Sequence, residues 1–201
     1  PHFLYNTLES VVWMIESGKK EDAVFMVTEL ASFFRISLSG GKNIIRLSQE
    51  IQHAKNYMNI QKIRFKDKFT VDFQVSEEAL SCLTVKLILQ PILENAIYHG
   101  MEGMDEDGEI HVRGKLVKEG EHSIVLLSVE DNGLGMTEEK ARELLTKESE
   151  EVDFSTQKKR GSGVGLINVH RRIQLRFGAQ YGLQIHSEPD EGTVVELRFP
   201  A

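Results

Sequence analysis

The chain has 201 residues, 40% hydrophobic and 27% charged, which excludes an intrinsically disordered protein and gives room for one ordinary domain plus a smaller helical one. A net charge of −7 argues against nucleic acid as a partner held through phosphates, and the single cysteine, Cys82, excludes an intramolecular disulfide. No apolar run reaches the ~18 residues of a bilayer span, no signal peptide is visible, and the start on Pro1-His2 without an initiator methionine points to the C-terminal piece of a longer protein.

From His2 onward, Leu4, Leu8, Val11 and Ile15 recur at helical spacing, which predicts an amphipathic helix with this row as its seam. His2, Asn6, Glu9 and Trp13 then share the opposite face, with His2 and Asn6 one turn apart. Ser17-Gly18-Lys19 breaks the pattern. Val24, Val27, Ala31, Phe34 and Leu38 predict a second helix, antiparallel to the first. Phe25, Met26, Leu30 and Phe33 widen its apolar surface beyond what one partner helix covers, so a second copy completing a four-helix bundle is expected.

Residues 39–43 form a linker and residues 44–47 a short extended piece. Ser48 is expected to cap a helix running to about Phe65, with Glu50 in its first turn. The second domain is placed from residue 66, giving a helical region over 1–65 and an α/β region over 66–201. Phe69 to Val75 alternates as a half-exposed strand. Thr84 to His99 is expected to be a helix that Pro91 bends or restarts, with Asn95 and His99 off its buried stripe. An acidic loop follows, then two strands of a hairpin over 109–117 and 123–130.

The second of those strands ends on Glu130-Asp131-Asn132-Gly133-Leu134-Gly135-Met136. An acid at a strand mouth beside two glycines can accept from an exocyclic amine, although Asp-Asn-Gly alone is more often an ordinary turn. Beyond it lie a polar helix from Thr137 to about Thr146, a loop of little apolar content over 147–160 read as mobile, and Gly161-Ser162-Gly163-Val164-Gly165-Leu166 opening a helix to Phe177. Two closing strands cover 181–187 and 193–199. Glycines before a helix expose N–H groups to an anion. Neither the Walker spacing nor the dinucleotide fingerprint fits them, and taken alone they are equally a turn.

An Asn on a helix, then Asp-x-Gly-x-Gly, then Gly-x-Gly-x-Gly before another helix, in this order, resembles the three boxes of the GHKL ATP-binding (Bergerat) fold. That fold is shared by gyrase, Hsp90-type chaperones, mismatch-repair ATPases and histidine kinases. The opening Pro1-His2-Phe3-Leu4-Tyr5-Asn6-Thr7-Leu8 is similar to the phosphoacceptor box of LytS/YesM-type sensor histidine kinases. The resemblance implies an α+β protein: an N-terminal helical hairpin for dimerisation and phosphoacceptance, then an α/β sandwich of a mixed sheet with helices on one face.

It implies ATP and Mg²⁺ as cofactors, with Asn95 giving its amide oxygen to the metal and Asp131 accepting from the adenine amine. Gly133 and Gly135 would bend the chain beside the base. Gly161, Gly163 and Gly165, with Val164 and Leu166 in the same segment, would bring main-chain N–H groups to the phosphates. Residues 137–160 would be a lid, where Lys158, Lys159 and Arg160 meet phosphate charge or simply face solvent; His99 would be a phosphate donor or a helix cap. His2 would be the nucleophile toward the γ-phosphoryl group, its imidazole carrying a free nitrogen near neutral pH.

Position 3 is Phe where many histidine kinases have an acid. Either transfer needs no neighbouring base or another carboxylate serves, with Glu94 a candidate; Asn6 could orient water for dephosphorylating a partner. The implied partners are a second copy of the chain and a response-regulator receiver domain, and the implied location is the cytoplasmic portion of a bacterial inner-membrane protein whose sensing segment precedes residue 1. Hydrolases of the same fold carry a water-activating Glu one turn before the Asn, where this chain has Pro91. A pairing module with a degenerate site is the non-enzymatic alternative.

Overall fold

In the computed structural model, residues 2–38, 41, 43–100, 107–146 and 164–201 are described. Two helices, α1 (His2–Glu16) and α2 (Lys20–Ser37), form the expected hairpin. Gly18, at φ +78°, lets the Lys19 N–H turn back to the Met14 carbonyl at 2.8 Å. The seam between the helices differs from the predicted one. Val11 and Met14 meet Ala23, Met26 and Leu30, with Ile60 of the next helix in the same cluster. Leu8, Ile15, Val24 and Val27 are instead 43–67% exposed. Each helix carries two apolar stripes, and periodicity cannot tell which one a single chain covers. The covered stripe of α2 continues into Phe33, which packs on the following helix.

That helix, α3 (Leu47–Arg64), starts two residues earlier than a Ser48 cap would have it. Strand β1 (Ile44–Arg46) pairs antiparallel with β3 (Leu83–Val85), so the backbone is already fixed up to Arg46. The Arg46 N–H donates to Gln49 Oε1 at 3.2 Å; Arg46, rather than Ser48, is the cap position. Ten residues of α3 are buried, because it packs on the hairpin with one side and on the α/β layer with the other.

The α/β layer contains a five-stranded mixed sheet in the order β2-β4-β5-β7-β6. β2 (Phe69–Val75) runs parallel to β4 (Gly108–Glu119); β5 (His122–Asp131), β7 (Gly192–Pro200) and β6 (Gly182–Glu188) complete it antiparallel. A short helix, α4 (Glu77–Ser81), follows β2, capped by Ser76 Oγ accepting from the Ala79 N–H. The expected helix over 84–99 is three pieces: β3, then α5 (Leu89–Asn95), then a π-helical turn, Ala96–Gly100. Pro91 explains the late start. It fits only the first turn, where its missing N–H has no intrahelical partner to lose.

Helices α3, α5 and α7 (Val164–Phe177) bury Tyr57, Ile92, Leu93 and Ile173 in one core with Ile110, Leu127, Leu197 and Phe199 of the sheet. The lone cysteine, Cys82, is half-buried at the edge of this core. Among the described residues no helix is long and apolar enough to cross a membrane.

Candidate active site

Alternation along β5 decides where its terminal acid goes. Val125, Leu127 and Val129 point into the core, and Asp131 continues that row, 5% exposed. Its Oδ1 accepts the Gly133 N–H at 3.0 Å. Burial pushes the carboxyl up to about 6, against the pull of the Gly133 and Thr193 backbone N–H groups. The turn after it is fixed by Asn132, whose Oδ1 accepts the Glu109 N–H at 2.7 Å and whose Nδ2 donates to the Asp107 carbonyl at 3.0 Å.

The glycines of this turn allow backbones to cross. A Cβ on Gly133 would stand 2.1 Å from the Gly100 carbonyl oxygen. Gly135, at φ +60°, would put one 1.9 Å from the Glu188 carbonyl oxygen. The Leu134 N–H donates to the Gly100 carbonyl at 3.1 Å, and Gly100 itself is so close to Asp131 that a Cβ there would lie 2.7 Å from Oδ1. The end of the α5 segment and the mouth of β5 therefore touch.

At its other end α5 touches α7. A Cβ on Gly165 would be 3.2 Å from Cβ of Pro91. Val164 is half-buried and Leu166 is in the core at the start of α7. Three segments far apart in sequence thus meet around one seven-residue helix. Asn95 is its last α-helical residue, half-buried, and its amide takes no hydrogen bond among the described residues. Glu94 is half-buried and accepts from Gln90 Nε2 at 2.9 Å, a neighbour on its own helix. The His99 side chain and residues Lys158, Lys159, Arg160, Gly161 and Gly163 lie outside the described residues, as does the expected loop over 147–160. Of the expected lid, α6 (Glu138–Thr146) is described, anchored through buried Ala141.

His2 is exposed on α1, while Phe3 beside it is packed inward with ring centroids 5.1 Å from Phe33 and 5.2 Å from Tyr57. The residue after the histidine is thus an anchor for the first turn. Asn6 is half-buried and borders a cavity of about 850 Å³ with Glu9, Trp13, Arg64 at the end of α3 and Asp67 in the turn after it.

Sequence reasoning missed three polar side chains around this site. Glu50 is fully buried against the start of α5, and Arg172 of α7 grips the same turn from the other side. His170 Nδ1 accepts the Leu183 N–H at 2.9 Å, fastening α7 to β6. The acid at the start of α3 was visible as a first-turn residue; its partners, 37–39 residues away, were not.

Residues 83–201 match the family described as histidine kinase-, DNA gyrase B- and HSP90-like ATPases, and residues 1–69 match that described as histidine kinase. The chain belongs to the histidine kinases of this ATP-binding superfamily. Across 200 residues, the whole of this chain, it is 36% identical to sensor histidine kinase YesM of Bacillus subtilis (strain 168) and 30% identical to sensor protein kinase HptS of Staphylococcus aureus (strain USA300). The chain spans about a third of the length of these relatives, 31% and 36%.

Among solved structures, the histidine kinase domain of the Erythrobacter litoralis EL346 blue-light activated kinase matches with a TM-score of 0.52 and 17% identity, covering 92% of this chain and 82% of that one. Acinetobacter baumannii histidine kinase AdeS gives 0.54 and 13%, covering 94% and 84%. The catalytic domain of histidine kinase ThkA gives 0.54 and 17%, covering 78% and 95%. At these identities the likeness is one of fold, and it agrees with the expected α+β arrangement.

Proposed function

We propose that this chain is the kinase core of a two-component sensor, which binds MgATP in its α/β region over 66–201, phosphorylates His2 and passes the phosphoryl group to a response-regulator aspartate. The observation carrying this reading is the meeting of Asn95, Gly100, Asp131 and the start of α7 around one short helix. The residues fit the nucleotide. A buried carboxylate is a selective acceptor for the adenine 6-amino group, and the Asn95 amide oxygen, unbonded among the described residues, suits a hard cation. Mg²⁺, when bound through Asn95, phosphates and waters, would neutralise charge on the transferring phosphoryl group.

Val164 and Gly165 would offer backbone N–H groups at the positive end of α7 to the phosphates, and Gly161 and Gly163 are assigned the same role, with His99, Lys158 and Arg160 as side-chain donors. The unprotonated His2 nitrogen attacks the γ-phosphorus, the bond to the β,γ-bridging oxygen breaks, and ADP leaves. Phe3 being an anchor, the base that assists this step is Glu94 or none, and Asn6 orients water when a partner is dephosphorylated. A second copy covers the exposed Val24, Val27, Leu8 and Ile15, making a four-helix bundle. The whole protein would be held at a bacterial inner membrane by a segment before residue 1, with the kinase core in the cytoplasm.

The test is incubation with γ-labelled ATP. An acid-labile, alkali-stable phosphoprotein is expected, abolished in His2→Gln while nucleotide binding persists. Label retained in His2→Gln would overturn the assignment.

A further inference from the structure

The nucleotide segment α5 is short and begins badly. Its N-cap position, Ile88, has no side chain that can accept a hydrogen bond, and Leu87 before it sits at φ +59°, a conformation that costs a non-glycine residue energy. Both defects are met by one side chain from another helix. Glu50 of α3, 0% exposed, accepts the Leu87 N–H on Oε2 at 2.8 Å, and the Ile88 and Leu89 N–H groups on Oε1 at 2.8 and 2.9 Å. Arg172 of α7 holds the opposite side of the turn, donating to the Leu87 carbonyl at 3.2 Å and to the Lys86 carbonyl. Lys86 Nζ in turn donates to the Ser37 carbonyl at the end of α2, at 2.9 Å. A buried carboxylate with three N–H donors at a helix start is a strong, directional clamp.

We propose that Glu50 is a positioning residue for the phosphate end of the nucleotide: it fixes the start of α5 and so places Asn95, six residues beyond Leu89, with Arg172 bracing the same turn from α7. The inference rests on the nucleotide-site reading above. Its chemistry separates two parts of binding. Asp131, which faces the adenine, is carried by β5. Asn95, which faces Mg²⁺ and phosphate, is carried by the segment that Glu50 holds. Loss of the clamp should therefore weaken the Mg²⁺-dependent part of ATP binding and spare the part adenine supplies.

Glu50→Gln keeps the shape but puts an amide NH₂ among N–H donors and removes the negative charge. Arg172→Gln, at a half-buried position, tests the same turn where Glu50→Gln fails to fold. ATP affinity is measured by calorimetry on the full chain with Mg²⁺ and with EDTA. Val195→Ala, a core truncation on β7, is the control for a purely structural loss. Either clamp variant should lose about tenfold in Mg²⁺-ATP affinity, with affinity in EDTA unchanged and faster amide exchange at Leu87–Leu89; Val195→Ala should show the wild-type gain from Mg²⁺. A folded Glu50→Gln or Arg172→Gln with the wild-type Mg²⁺ gain would overturn the inference. A wild-type chain that binds no ATP at all would overturn the nucleotide site itself, and this proposal with it.

Discussion

The Gly133 N–H reaches back two residues to Asp131 Oδ1 at 3.0 Å, inside a space where a Cβ on Gly133 would lie 2.1 Å from the Gly100 carbonyl oxygen. One turn therefore buries an acid and packs it on the end of α5. The proposed adenine contact needs that acid ionised, and burial pushes its titration up to about 6. Affinity for ATP should thus fall as pH drops through 6, approaching tenfold per unit below it. The sign for stability is opposite. An acid whose folded value exceeds its unfolded one costs stability as pH rises from about 4 to 6, so Asp131→Asn should melt no lower than wild type at pH 7.5 while losing ATP binding, as calorimetry and a thermal melt would show.

Gly135→Ala should be severe. It combines φ +60° with a Cβ 1.9 Å from the Glu188 carbonyl oxygen, so the turn cannot stay on the β6–β7 connection. A loss of roughly 2 kcal/mol or more is expected by denaturant unfolding. Gly120→Ala, with positive φ but open space, should cost about 1 kcal/mol.

Acid should weaken the junction between hairpin and α/β layer. His53 is fully buried, stacked on Phe33 at 4.3 Å, with Nε2 2.8 Å from Ser37 Oγ. Burial, with Lys86 nearby, pushes its value down to about 4. A histidine kept neutral in the fold gives stability that is complete above 6.5 and is lost as pH falls from there to about 4. The loss is about 3 kcal/mol at most, and His53→Phe should flatten the pH dependence of the melting temperature in that window.

The exposed stripe of the hairpin should control association. Val24 and Val27, 67% and 48% exposed, lie on the α2 face away from Met26 and Leu30. If the proposed pairing holds, Val24→Glu with Val27→Glu should give a monomer in sedimentation equilibrium where the wild type sediments as a dimer, without changing the helical circular dichroism. A double variant with the wild-type mass would overturn this stripe as the pairing face.

What the sequence made legible followed from local pattern. The second strand of the β4–β5 hairpin is written as an apolar run that closes on an acid, and Asp131-x-Gly133-x-Gly135 follows at once. Failures came where distant segments decide. Thr84 and Val85 have helix-compatible neighbours, yet pairing with Ile44 and Ile45, some forty residues earlier, makes them a strand. Leu8 and Ile15 looked like seam residues because periodicity sees two apolar stripes alike, and α3 selects the other. Glu50 was legible only as a first-turn acid, since every bond that defines it belongs to the turn before α5.

The π-helical turn that follows Asn95 holds one residue more per hydrogen-bonded ring than the α-helix before it. The chain therefore arrives at Gly100 late by a fraction of a rotation. Deleting a single residue from 96–99 would return the segment to regular winding and swing Gly100 by roughly 100° about the helix axis. The proposed adenine and metal contacts would then fall out of step, although every motif residue would still be present in the sequence.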